Sequence, residues 1–166
     1  MSMRFVLPVL VAAMGFAACS GKKSEPAPAP AATPRAEPDP LGRWTIVAHR
    51  IPGVSAMSDD EAATWHGRVF DLTANLAVFG GDTCEAPSYG YGTKSAARFL
   101  GEDYHVAPFT LDIADSTIGI TWVSCNDEFR RDPGGVLIWA GPNRLFTPWD
   151  GVFFELTRDS TQTHAR

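Results

Sequence analysis

The fold of this chain is decided by one stretch near its C-terminus, Leu145-Phe146-Thr147-Pro148-Trp149-Asp150-Gly151-Val152-Phe153-Phe154-Glu155-Leu156. Two runs rich in aromatic and aliphatic residues flank Asp150-Gly151, a dipeptide typical of the two-residue turns that join antiparallel strands. Pro148 lies just before the turn and cannot donate a backbone hydrogen bond, so we expect strand pairing to start late. The stretch predicts a β-hairpin.

Three further segments have the alternation or the composition of strands. They are residues 44–48, 118–123 and 136–139, and turn-forming residues at 115–116, 132–135 and 141–143 separate them from their neighbours. The pattern predicts a mainly β domain, namely an antiparallel β-barrel or half-barrel of about seven strands.

One or two short helices are expected beside the strands. Ser58 is a good N-cap, Glu61 stands at the third helical position to complete a capping box, and Gly67 suits a helix C-terminus. Residues 93–100 favour a second short helix that Gly101 would close.

The N-terminal segment is predicted to direct export. Arg4 precedes an apolar run at residues 5–18 that ends in small residues before Cys19. The run is shorter than the ~20 apolar residues of a membrane-spanning helix. A cysteine directly after such a cleavage site resembles the lipobox of bacterial lipoproteins, in which that cysteine is lipid-modified and becomes the new N-terminus. The alternative is an ordinary signal peptide with an incidental cysteine.

The resemblance implies a membrane anchor at Cys19 and a domain that stands away from it. Residues 1–18 would be the signal peptide, and residues 19–40 the lipidated cysteine with an extended linker that contains six prolines. The β domain would span residues 41–158, and residues 159–166 form a polar tail. Ser20 resembles the residue after the cysteine in lipoproteins sorted outward, so we expect anchoring in the outer membrane, facing the periplasm.

Charge and cysteine content narrow the function further. Without Arg4, 13 basic and 19 acidic side chains leave a net charge of −6, which argues against nucleic acid as a partner.

Cys84 and Cys125 remain once Cys19 is lipidated. Because an exported protein meets an oxidising compartment, this pair predicts a disulfide.

Two families of small β domains resemble this chain. Leu41-Gly42-Arg43-Trp44 resembles the Gly-x-Trp that opens the first strand of lipocalin-like barrels. In those barrels a basic residue on the last strand often packs on that Trp, a role that Arg158 would fill. The same opening, with residues 79–84 and 121–125, is similar to META-type domains of bacterial lipoproteins, where two cysteines lie in these relative places. Both resemblances imply a fold, and neither implies an activity.

The first candidate binding segment contains Ser88, Tyr89, Tyr91 and Lys94. Its glycines favour a tightly turned loop, and the amphipathic tyrosine rings suit an interface. The segment is loosely similar to the Ser- and Gly-rich loop of lipoprotein inhibitors of lysozyme. The alternative is a surface loop whose tyrosines pack inward.

The second candidate segment contains Phe129, Arg130 and Arg131. Mixed charge around one Phe is typical of a solvated hairpin loop. It also suits half of a protein-binding surface on which one of the arginines is an anchor.

Catalytic and metal sites are not predicted. His49, His66 and His105 match no zinc spacing, and the chain lacks the Gly-x-Ser-x-Gly of serine hydrolases. We therefore expect no cofactor and a non-enzymatic binding or inhibitory module for a protein or envelope component. The alternatives are a lipocalin-type carrier of a small apolar ligand and, second, an envelope hydrolase.

Overall fold

The computed structural model describes residues 37–159. The predicted signal peptide, Cys19, the linker up to residue 36 and residues 160–166 lie outside the described residues. No helix within 37–159 has the length and apolar character needed to cross a membrane. The helices are α1 (Asp59–Ala63) and α2 (Ala96–Tyr104), followed by a 3₁₀ turn (Pro108–Leu111). The strands are β1 (Gly42–Arg50), β2 (Val69–Leu72), β3 (Leu76–Phe79), β4 (Asp82–Glu85), β5 (Pro87–Ser95), β6 (Thr117–Cys125), β7 (Glu128–Phe129), β8 (Val136–Gly141), β9 (Arg144–Trp149) and β10 (Val152–Arg158).

These ten strands of residues 37–159 form one antiparallel sheet. Their order is β4-β3-β2-β1-β10-β9-β8-β6-β5, with β7 paired to the end of β6. The predicted mainly β, antiparallel half-barrel with two short helices is confirmed. The predicted helix ends are wrong, because α1 ends at Ala63, before Gly67, and α2 continues through Gly101 to Tyr104. The strand number is ten rather than about seven. The short strands β3, β4 and β7 have only four, four and two residues, too few for a clear alternation, and β5 was expected to be a loop.

The hairpin predicted from Asp150-Gly151 is present and joins β9 to β10. Both turn residues have positive φ, 50° and 83°, as a two-residue turn of this kind requires. Pairing begins directly at the turn, with Trp149 opposite Val152 and Pro148 opposite Phe153. Because antiparallel pairs alternate, Pro148 occupies a position whose missing N–H would point away from β10. The expected delay in pairing is therefore wrong.

Strands β8, β9 and β10 are buried on both faces of the sheet. On the inner face Leu137, Leu145 and Phe154 belong to one hydrophobic cluster, together with Trp44 of β1. Their neighbours on the outer face pack under α2 and the 3₁₀ turn in a second cluster that contains Ile138, Phe146, Phe153, Leu100 and Leu111. Two-sided burial explains why these strands are continuous apolar runs instead of alternating ones.

The two edges of the sheet meet at a seam. Strands β4 and β5 stand at opposite ends of the strand order, yet Ala86 alone separates them in the chain. The sheet must therefore curl until its edges approach. The predicted disulfide between Cys84 of β4 and Cys125 of β6 is present there, with Cα atoms 5.4 Å apart. The bond covalently links the edge strand β4 to β6, which lies next to the opposite edge strand β5.

The first and last strands lock together as expected from Trp44 and Arg158. The guanidinium of Arg158 lies 4.2 Å from the centroid of the Trp44 ring, so the predicted contact is confirmed. The same guanidinium donates hydrogen bonds to the carbonyl oxygens of Leu41 and Asp39. The indole N–H of Trp44 donates to the carbonyl of Pro40, 2.9 Å away. The described chain therefore enters the domain at the end of the sheet marked by Arg158.

Candidate binding cleft

A cleft of about 570 Å³ opens where the β9–β10 hairpin turns. Its walls come from four segments that are distant in sequence. The segments are residues 53–54 after β1, 104–106 at the C-terminal end of α2, 129–132 around β7 and 148–151 of the hairpin. Val136 of β8 and Phe153 of β10 also line the cleft. The cleft is a product of the tertiary fold and corresponds to no continuous motif.

Aromatic side chains are among the residues that line the cleft. Tyr104, Trp149 and Phe153 all line it, and the rings of Tyr104 and Phe153 meet edge to face with centroids 5.4 Å apart. Burial, with a smaller contribution from Asp103, raises the pKa of Tyr104 to about 12. The phenol is therefore neutral near pH 7 and offers a hydroxyl donor beside an apolar surface.

Two large apolar side chains on the cleft are exposed to solvent. Val54 is 98% exposed and Phe129 is 48% exposed. Single exposed apolar residues are common on protein surfaces, but here both border a formed concave surface with an aromatic lining. Such a combination is typical of a binding site.

The two arginines of the second candidate segment have different surroundings. Arg131 is exposed and lines the cleft. The side chain of Arg130 is only 8% exposed. Its guanidinium lies 4.4 Å from the Phe79 ring centroid, and its Nε donates to the Pro133 carbonyl at 3.1 Å. Arg130 therefore packs the turn at residues 130–133 against β3. Arg131 is the arginine of this segment that a partner can reach.

The first candidate segment is a strand and not the expected loop. Residues 87–95 form β5, which pairs with β6 along its whole length. Tyr89 and Tyr91 lie opposite Val123 and Thr121 and pack, half-buried, against the inner core. Burial raises the pKa of Tyr89 to about 12. The residues between the tyrosines lie on the other face, so the Gly-Tyr alternation is that of a strand.

Ser88 and Lys94 are the exposed members of that segment. Ser88 pairs with Ser124, and so does Phe129 from the other side of β6. Because neighbouring strands lie ~4.8 Å apart, the two candidate segments approach to roughly 10 Å at this point. Lys94 lies at the far end of β5, with its amine 5.9 Å from the Trp122 ring centroid.

The three histidines within residues 37–159 form one pair and one single residue. Nδ1 of His49 and Nε2 of His66 are 2.8 Å apart, and Nε2 of His49 is 3.0 Å from a carboxylate oxygen of Asp59. His105 lies elsewhere, in the cleft. Among the described residues, no group of three or more His, Cys, Asp or Glu side chains is arranged to hold a metal ion. Sequence spacing did not reveal the pair, because its members lie 17 residues apart on different elements.

Comparisons with known proteins add no family to this geometry. No protein-family model matches the chain, and neither curated proteins nor solved structures give a significant match. Function must therefore be inferred from the cleft itself. Its aromatic surface, exposed apolar rim and accessible Arg131 suit recognition of an amphipathic surface.

Proposed function

We propose that this protein is a lipid-anchored, non-enzymatic module of the outer membrane that binds a protein or other envelope component in the cleft. The single observation that carries the proposal is the exposure of Phe129 and Val54 on the rim of an aromatic cleft. Solvation of these side chains costs free energy that a partner would recover by covering them. Where the partner is an enzyme, binding of this kind would inhibit it if it covered the active site.

The position of the cleft favours a partner on the side remote from the anchor. The chain from the linker enters at the end of β10 marked by Arg158, whereas the cleft borders the start of β10 at Gly151 and Phe153. Seven strand residues separate the two ends by about 20 Å. The cleft therefore lies at the end of the domain opposite the point where the linker joins it, so a partner can bind it without contact with that point.

The filled interior favours a binding module over a lipocalin-type carrier. Trp44, Phe70 and Phe154 are fully buried inside the curled sheet, and the rings of Trp44 and Trp139 meet edge to face with centroids 5.7 Å apart. A carrier needs an open apolar cavity in this volume. Side chains occupy that volume instead, so the surface cleft is the better candidate for ligand binding.

Site-specific photo-crosslinking in intact cells tests the proposal. A photoreactive residue at position 129 or 54 should capture a defined partner, whereas one at position 109 should not. Phe109 is the matched control because it is 77% exposed and lies outside the cleft. Equal capture from position 109 would show that exposure alone, and not the cleft, determines the product.

The captured partner then permits a quantitative test with purified components. Phe129→Ala and Arg131→Ala should each weaken binding about tenfold or more, as anchor residues in interfaces do, while Phe109→Ala leaves the affinity unchanged. Unaltered affinity in both cleft variants would reject the site. Saturable binding of an apolar fluorophore that these variants do not affect would favour the carrier.

A further inference from the structure

We propose a second site on this domain, in which His49 and His66 bind a borderline divalent cation such as Zn²⁺ or Cu²⁺. The two ring nitrogens that face each other, Nδ1 of His49 and Nε2 of His66, are 2.8 Å apart. Neither residue lines the cleft, so this proposal is independent of the function proposed above.

The carboxylate of Asp59 fixes the protonation pattern of His49. It lies 3.0 Å from Nε2 of that ring, and an ionised carboxylate only accepts hydrogen bonds, so Nε2 carries the proton. The lone pair of Nδ1 then points at His66. A carboxylate behind an imidazole in this way orients metal-binding histidines in proteins and increases their basicity.

The short gap between the rings requires a positive centre. Two nitrogen lone pairs cannot face each other at 2.8 Å without a hydrogen or a cation between them. In the metal-free protein the N–H of His66 fills that position and donates to His49. When a divalent cation takes this position, His66 loses the proton on Nε2 to water and takes up one on Nδ1. Both facing lone pairs are then free for the metal, and each ring remains neutral.

Metal binding requires the two rings to turn as well as to separate. Bonds of 2.0–2.1 Å at a tetrahedral angle separate two nitrogen ligands by about 3.3 Å, so the gap widens by ~0.5 Å, and the two nitrogens that face each other along the hydrogen bond must both turn toward the metal. His66 is exposed and follows α1, which makes this shift easy, while the side chain of His49 is only 10% exposed on β1. Water must complete the coordination, since no third protein ligand is present in the described residues.

The surrounding charge favours a cation. Asp59, Asp60 and Glu61 form the first turn of α1 beside the pair, and their negative potential attracts a divalent ion. With two protein ligands, we expect weaker binding than at structural zinc sites with four. The imidazole donors select Zn²⁺ and Cu²⁺ over Mg²⁺ or Ca²⁺, which prefer oxygen ligands.

Calorimetric titration of the full-length protein in detergent micelles with Zn²⁺, and with Cu²⁺ in parallel, tests the site. One ion should bind per chain near neutral pH. His49→Gln and His66→Gln should each weaken binding at least tenfold, and Asp59→Asn should weaken it between about ten- and a hundredfold. His105→Asn is the matched control, because Asn tolerates the left-handed conformation of that position. It should bind as the parent does.

A spectroscopic measurement separates ligation from loss of structure. The electron paramagnetic resonance spectrum of bound Cu²⁺ should show hyperfine coupling to two nitrogens in the parent and to one in His66→Gln. Because His66 is exposed, the domain of this variant should remain folded. Unchanged binding in His66→Gln, absence of binding by the parent at millimolar metal, or loss of binding in His105→Asn would each overturn the proposal. Loss of binding in His164→Gln, a change outside the described residues, would move the site to the tail.

Discussion

Removal of the disulfide should destabilise the domain specifically at its seam. The change is the double substitution Cys84→Ala and Cys125→Ala. The bond closes a loop of 41 residues, and the loop-entropy relation gives a loss of about 4 kcal/mol of unfolding free energy. With an unfolding entropy of ~2.1 cal/mol/K per residue over about 120 residues, this loss lowers Tm by about 15 °C. Because small domains have roughly 5–15 kcal/mol of stability, the variant should still fold at low temperature.

Thermal unfolding followed by circular dichroism measures the change in Tm. The parent protein in reductant is the control, since it should approach the Tm of the variant, while reductant leaves the variant unaffected. Hydrogen exchange should then increase most in β4, which the bond joins to β6 across the seam, and in the neighbouring edge strand β5. A decrease in Tm of less than about 3 °C would contradict the expected stabilisation by the disulfide. Faster hydrogen exchange spread evenly over the sheet would contradict the prediction that the seam is the least stable part of the variant.

Four further outcomes are expected. Replacing both Tyr89 and Tyr91 by Ala should cost about 3 kcal/mol in urea denaturation, because their half-buried rings pack on the inner core; an unchanged midpoint would contradict inward packing. Arg158→Met should lower the unfolding free energy by about 1–3 kcal/mol. Arg158→Lys should lower it by less, since Lys keeps the positive charge but lacks the planar guanidinium that donates several hydrogen bonds. Equal stability of the parent and both variants would show that the contact with the first strand does not stabilise the fold. Stability should fall as the pH rises from 10 to 12, because the pKa of Tyr89 and of Tyr104 is about 12 in the fold and 10 in the unfolded chain, which therefore loses its protons first; Tyr104→Phe should flatten this dependence in pH-stepped denaturation. Cys19→Ser should release the protein from membranes in detergent-free fractionation, and retention equal to the parent would exclude the lipid anchor.

The sequence predicts those parts of the fold that depend on local chemistry. Asp150-Gly151 determines a hairpin because only residues that tolerate positive φ fit both turn positions. Ser58 accepts a hydrogen bond from the backbone of Glu61, as the capping pattern predicts. The strand β5 was missed because its two glycines suggested a loop, although the alternating tyrosines were the better indicator of a strand.

The candidate site was predictable only in part. Phe129 and Arg131 stand out in sequence because an apolar and a basic residue share a turn. The partners that complete the cleft, such as Val54 and Tyr104, come from segments about 50 residues apart, and only the curling of the sheet brings them together. The pair of His49 and His66 was missed for the same reason, since no fixed spacing joins a strand residue to one that follows a short helix.

The hairpin that decides the fold also holds the cleft in shape. The carbonyl oxygen of Asp150 accepts hydrogen bonds from the backbone N–H of Ala56, at 2.9 Å, and from the hydroxyl of Ser55, at 2.8 Å. A side chain at Gly151 would collide with the carbonyl oxygen of Val54, so the two segments approach as closely as a glycine allows. Val54 is therefore exposed from a backbone that the hairpin holds through the two residues that follow it. An apolar side chain held in solvent in this way loses little conformational freedom when a partner covers it, which is the condition for a binding anchor.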